Sequence, residues 1–193
     1  MKQKAVALLD ACVLIPMPLA DTLLRLAAGP HLYVPKWSDR IMVEADRTLQ
    51  ENFGLSPEKT AYRESEIRRH FPEAWVEGYE ALIPVMTNHP KDHHVLAAAV
   101  RARAGTIVTY NVKDFPVVSL APYSITVAGP SAFLKNLYEL APLEVMETLE
   151  HQAAAIGQSL GYLLARLRIN APGFVALIEE KGKSSGEPDA MGT

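Results

Sequence analysis

The residues that could do chemistry in this chain are oxygen-bearing and far apart: Asp10, Glu44, Asp92, Asn111 and Asp114. Each has an ordinary explanation when taken alone. Asp10 closes the apolar run Ala5-Val6-Ala7-Leu8-Leu9 and reads as a turn residue, and Glu44 reads as a surface residue of a helix. Asp92 stands where a helix begins, a position at which an aspartate satisfies orphan amides. Asn111 and Asp114 follow Thr106-Ile107-Val108-Thr109-Tyr110 and read as loop residues. Together they suggest something else. Acids from separate elements, gathered at one end of a parallel sheet, repel each other at neutral pH, and a hard divalent cation removes that repulsion. Mg²⁺ takes oxygen ligands octahedrally at about 2.0–2.1 Å and keeps several waters. It polarises a phosphoryl oxygen and lowers the pKa of a bound water. The chemistry that suits these parts is hydrolysis of a phosphodiester. Spacing permits the acids to converge and does not establish that they do.

The elements that must position them alternate between strand and helix. Ala5–Leu9 is a continuous apolar run, as expected of a buried parallel strand. A helix is expected over Ala20–Ala28, stopped by Gly29-Pro30, and a second strand at Leu32-Tyr33-Val34. Ser38 caps a helix from Asp39 to about Leu49, on which Ile41, Ala45 and Leu49 form a stripe bordered by Glu44. Asn52-Phe53-Gly54 reads as a turn, and Ser56-Pro57 opens a helix that runs to about His70. Ala81–Met86 is a strand candidate weakened by Pro84. A helix over about His93–Ala104 carries three consecutive alanines suited to close packing on a sheet. Thr106–Tyr110 and Ser124–Val127 complete the strands. This alternation predicts βαβ units, an α/β class and a mostly parallel sheet flanked by helices. In such sheets ligands bind outside the carboxyl ends of the strands. Beyond about Pro130 the strand signals stop, and helical stripes follow at Phe133–Tyr138, Met146–Ile156 and Leu160–Leu167. The expected organisation is a sheet domain over 1–128, a helical C-terminal extension over 129–181 and a disordered tail over 182–193.

Composition narrows the function classes. A hydrophobic fraction of 49% in 193 residues allows a sizeable core, and the mean hydropathy is +0.03. The net charge of −3 offers no global attraction to nucleic acid, so such contacts must be local. The single cysteine, Cys12, excludes an internal disulfide framework and a cysteine zinc site. The apolar runs fall far short of the roughly 20 residues needed to cross a bilayer. The basic start is followed by a run that Asp10 breaks, which reads as a strand and not as a signal peptide. A cytoplasmic protein is expected.

Four blocks occur in order: Leu8-Leu9-Asp10-Ala11-Cys12-Val13-Leu14, Glu44 on its helix, Asp92-His93-His94-Val95-Leu96-Ala97-Ala98-Ala99, and Thr109-Tyr110-Asn111-Val112-Lys113-Asp114-Phe115-Pro116. Their order and spacing over residues 4 to 128 resemble the successive motifs of the PIN domain. The resemblance is closest to the VapC-type toxins of bacterial toxin–antitoxin pairs, including the branch with a helical C-terminal extension. It implies a three-layer fold around the parallel sheet and an Mg²⁺- or Mn²⁺-dependent endoribonuclease. RNA would be the substrate, an antitoxin protein the partner, and a homodimer is allowed. Asp10, Asp92, Glu44 and Asp114 would be catalytic and metal-binding, Glu44 directly or through water and Asp114 on the metal or on its waters. Thr109 and Asn111 would orient that shell by hydrogen bonds. The family's last block often carries an acid where Asn111 stands. A neutral amide there reduces the negative charge, which favours one firmly bound metal with a second recruited by substrate.

Other residues invite over-reading. His93 and His94 are adjacent, so on a helix they point about 100° apart and cannot chelate as a pair. One of them could contact phosphate, and Lys113, between Asn111 and Asp114, is the better candidate for that role. Arg63, Arg68, Arg69 and His70 could touch an RNA backbone, but a solvated face with Glu64 pairing to Arg68 is the simpler reading. Trp37 could stack a base and Cys12 could be reactive, yet both fit a core. A competing function is a catalytically weak PIN-like module for RNA binding or assembly, against which the intact acid set argues. Another is phosphotransfer on a similar sheet. A haloacid-dehalogenase-type enzyme wants an acid where Cys12 stands, and a response-regulator receiver wants an acidic pair that is missing near the first strand.

Overall fold

The computed structural model describes residues 4–184. Four short strands form one all-parallel sheet in the order β2-β1-β3-β4: β1 (Val6–Leu9), β2 (Val34–Lys36), β3 (Thr106–Val108) and β4 (Thr126–Ala128). β1 and β3 are central because their side chains are apolar on both faces. Leu8, Leu9, Ile107 and Val108 are completely buried. The register sets Leu9 beside Val108, so the residues that leave these two strands, Asp10 and Thr109, emerge side by side. The chain passes from β1 outward to β2 on one side and to β3 and β4 on the other. The boundary between β1 and β3 is therefore the topological switch point, where open α/β sheets place their crevice.

Helices cover the sheet. The short α1 (Ala11–Leu14) follows Asp10 directly, and α2 (Leu19–Ala28) leads to β2. α3 (Asp39–Phe53) is capped by Ser38, whose Oγ accepts from the Ile41 amide, and ends at Gly54 in a left-handed conformation, φ 66°. α4 (Pro57–His70) begins with proline at its first position. α5 (His93–Arg101) lies against the sheet through Ala97, Ala98 and Ala99, which have no exposure. α6 (Val117–Leu120) is a single turn before β4.

Several expectations about elements change; the third strand stops at Val108, the fourth spans Thr126–Ala128, and α5 ends at Arg101. Ala81–Met86 is not a strand: residues Glu80–Val85 form a 3-10 helix around Pro84, which has no amide to give to a sheet ladder. The second strand starts at Val34, because Tyr33 turns into the core and its hydroxyl donates to the Leu23 carbonyl. Asn52 and Phe53 belong to α3, so the turn begins only at Gly54.

The C-terminal part consists of α7 (Pro130–Leu140), α8 (Pro142–Ala155), α9 (Leu160–Leu167) and α10 (Pro172–Ser184). Residues 182–184 of the expected disordered tail are thus helical, and residues 185–193 lie outside the described residues. The core runs across residue 128 without a break. Phe133, Leu149, Leu163 and Phe174 belong to the same apolar cluster as Leu8 and Ile107. Phe133 packs edge-on against Tyr33 with centroids 5.0 Å apart. Gln152 accepts from Thr22 Oγ1 at 2.7 Å and donates to the Pro18 carbonyl at 3.1 Å, so α8 is tied to α2 through buried polar groups. No described helix is long and apolar enough to cross a membrane.

Candidate active site

Asp10 is buried and held on both oxygens. Oδ1 accepts from the Ala11 amide at 2.7 Å. Oδ2 accepts from Thr109 Oγ1 at 2.7 Å and from the Cys12 thiol at 3.2 Å. The sheet makes this possible. The Asp10 amide donates to the Val108 carbonyl at 3.1 Å and the Thr109 amide to the Ala128 carbonyl at 3.0 Å, so both residues keep the strand register one step past the strands. Thr109 Oγ1 in turn accepts from the Asn111 amide at 3.0 Å. Asn111 therefore reaches the network through its backbone, and its side chain does not cap the 3-10 turn Val112–Asp114 that follows.

Asp92 and Asp114 come from loops that are fastened to each other. The His89 amide donates to the Asp114 carbonyl at 2.9 Å, which joins the turn Pro90–Asp92 to the turn Val112–Asp114. Phe115, fully in the core, anchors the second turn. Asp92 and Asp114 are 7% and 8% exposed, which makes them buried carboxyls. Asp92 occupies the N-cap position of α5, yet its side chain makes no capping hydrogen bond. Its Oδ2 is buried without any hydrogen-bond partner, and so is Asp114 Oδ2. Lys91 supplies the nearest positive charge: its Nζ stands 2.9 Å from Asp114 Oδ2, not aligned as a hydrogen bond, and 3.9 Å from Asp92 Oδ2.

The electrostatics register this convergence. Burial, and next the charge of Asp10, push Asp92 up to about 6, with Asp114 adding to the effect and Lys91 opposing it. Lys91 holds Asp114 below its ordinary value. Asp114, together with the charges of Asp92 and Asp10, holds Lys91 above its own. The charges of all three aspartates thus act on Lys91.

Glu44 stands apart from this trio in its contacts. Its Oε1 is 3.2 Å from Arg40 Nε and 3.3 Å from His94 Nε2. Burial, and next the charge of Arg40, push His94 down to about 4, so it is neutral at physiological pH and the contact is not an ion pair. His94 is buried, which removes it as a phosphate contact, and its Nδ1 has no partner. His93 Nε2 is bonded to the Asn88 carbonyl at 2.9 Å. Lys113 is exposed. Arg63 is bound to Asp46 and to the Leu14 carbonyl, Arg69 pairs with Glu66, and Arg68 pairs with Asp39 and Glu64 while lying 3.5 Å over the Trp75 ring. Trp37 is fully buried. Burial, and then Asp10, push the Cys12 thiol up to about 12, so it donates a hydrogen bond and is not a thiolate nucleophile.

Two residues near the acids carried no recognisable pattern in the sequence. Lys91 had only its adjacency to Asp92 to mark it. Asn170, 60 positions from Tyr110, accepts the Tyr110 hydroxyl on its carbonyl at 3.0 Å, and so brings the turn after α9 against the loop that follows β3.

The donor set is hard oxygen; Asp92 Oδ2 has no hydrogen bond and Asp114 Oδ2 has only the Lys91 ammonium at 2.9 Å, which fits a divalent cation of the Mg²⁺ type. Among the described residues no group of three or more His, Cys, Asp or Glu is placed to hold a metal ion. Mg²⁺ can bind through one or two carboxylates and keep waters in its other positions.

Over 76 residues, 38% of this chain, the sequence is 51% identical to the protein named "Putative ribonuclease VapC50" of Mycobacterium tuberculosis (strain ATCC 25618 / H37Rv). The match spans 45% of that relative, less than half of its length. No family model and no solved structure matches.

Proposed function

We propose that this chain is a VapC-type PIN ribonuclease that hydrolyses RNA with Mg²⁺ or Mn²⁺, and that it is the toxin of a toxin–antitoxin pair. The observation that carries the reading is the state of Asp92. An aspartate at a helix N-terminus ordinarily turns back to cap its own amides, which stabilises by about 1 kcal/mol. This one does not. It is buried with one bare oxygen and faces two other acids. Such an arrangement costs the fold stability, and a function that needs the negative charge accounts for it. The partial identity to a ribonuclease adds the substrate class.

Asp92 and Asp114 are the residues that would hold the ion, through the oxygens that Lys91 faces, with Asp10 as the third acid. The ion, when bound, polarises a phosphoryl oxygen and lowers the pKa of its water. Asp10 is orientated by Thr109, the kind of support whose loss costs about 10–100-fold in metal affinity or activity. Glu44 supports the site from its edge, through water. Lys113, exposed beside Asp114, would meet phosphate.

The test is cleavage of total RNA by the purified chain with Mg²⁺, with Mn²⁺ and with EDTA, alongside Asp92→Asn. Cleavage that needs the cation and is lost in the variant, with the fold retained by circular dichroism, is the expected result. Cleavage that survives in Asp92→Asn would overturn the assignment. RNA binding without cleavage in any cation would instead favour a catalytically weak binding module.

A further inference from the structure

The acid cluster already contains a cation belonging to the chain. The Lys91 ammonium sits 2.9 Å from Asp114 Oδ2 and 3.9 Å from Asp92 Oδ2, the two buried oxygens that lack hydrogen bonds. The Asp92 and Asp114 side chains are only 11% and 9% exposed, so few waters reach them. The lysine stem is different: its side chain is 53% exposed and it enters from solvent. A lysine suits such a place better than an arginine, because its ammonium is a compact point charge on a flexible stem and imposes no planar geometry.

We propose that Lys91 is a built-in counter-ion of this site: its ammonium and a divalent cation compete for the Asp92 and Asp114 oxygens, and the side chain swings outward when the ion enters. The inference rests on the metal-dependent reading of the site. Two cations that share oxygens within a few ångströms of each other repel, and the repulsion is strong where the surroundings are partly desolvated. The aspartates gain from either cation but cannot hold both. Lys91 therefore keeps the metal-free fold from carrying three uncompensated acids, and in doing so it sets how much free cation is needed to load the site. It acts as a positioning and affinity-setting residue.

The experiment is isothermal titration of Mn²⁺ into the full, metal-free chain without RNA. It compares the wild type with Lys91→Met, Lys91→Gln and, as a control for net charge, Lys135→Met on α7. Removing the competitor is expected to tighten Mn²⁺ binding about tenfold in both Lys91 variants and to leave the control unchanged. Thermal unfolding gives a second readout: the rise in Tm on adding Mn²⁺ is expected to be larger in the Lys91 variants, because tighter binding to the folded state stabilises it further. Wild type that binds Mn²⁺, with both Lys91 variants binding within about twofold of it, overturns the inference and leaves the metal-dependent reading standing. No Mn²⁺ binding by any of the proteins, wild type included, overturns both.

Discussion

Replacing Asp92 by asparagine should make the metal-free protein more stable while removing its activity. Asp92 is raised from 3.8 to about 6 in the folded chain, first by burial and then by Asp10. A carboxyl whose folded-state pKa lies above its unfolded one binds its proton more tightly when folded. Its contribution is fully favourable below about pH 4 and is lost as the pH rises through about 6. At 1.36 kcal/mol per unit, the shift corresponds to at most about 3 kcal/mol by pH 7.5, and solvent screening near the mouth of the site lowers this to about 1–2 kcal/mol. Asparagine keeps the shape and discards the charge. In a chain of this size 1 kcal/mol moves Tm by about 2–4 °C, so Asp92→Asn should unfold about 3–6 °C above the wild type at pH 7.5 in EDTA. The gap should close by pH 4, where the aspartate is protonated in both states. The assay is thermal and urea unfolding of both proteins across pH 4–7.5 in EDTA. A variant no more stable than the wild type at pH 7.5, or a gap of equal size at both ends of the range, would refute the placement of Asp92 against other acids.

Two further expectations follow from particular contacts. Thr109→Val removes the hydroxyl that donates to Asp10 Oδ2 at 2.7 Å; RNA cleavage should fall about 10–100-fold, with about 1 kcal/mol lost in urea unfolding. Glu44→Gln should lower cleavage less than Asp92→Asn does, because Glu44 contacts Arg40 and His94 and not the aspartates; kcat values for the two variants decide it.

How far these residues could be read in advance depended on the range of the forces involved. The strands that matter were visible because burial on both faces demands continuous apolar runs, as at Ala7–Leu9 and around Ile107 and Val108. The cap at Ser38 and the proline at the start of α4 were visible because capping is local. Ala81–Met86 misled because an apolar run of that length suits a strand or a buried turn equally, and Pro84 decided for the turn. The helices after residue 130 were recognisable by their stripes, but not the surface they pack on, since a stripe states only that a face must be covered.

From the order of its residues the chain settles which groups are acidic, that Asp10 follows a strand, and that Asp92 begins a helix. It does not settle where those groups point. That Thr109 donates to Asp10 follows from the pairing of Leu9 with Val108 across the sheet. That Asp92 leaves its own helix amides and meets Asp114 and Lys91 follows from a backbone bond between two loops, His89 to Asp114. Helical and strand periods describe neighbours within a few residues. A charged cluster is made by contacts 20 to 100 positions apart, and only the packed chain brings those together.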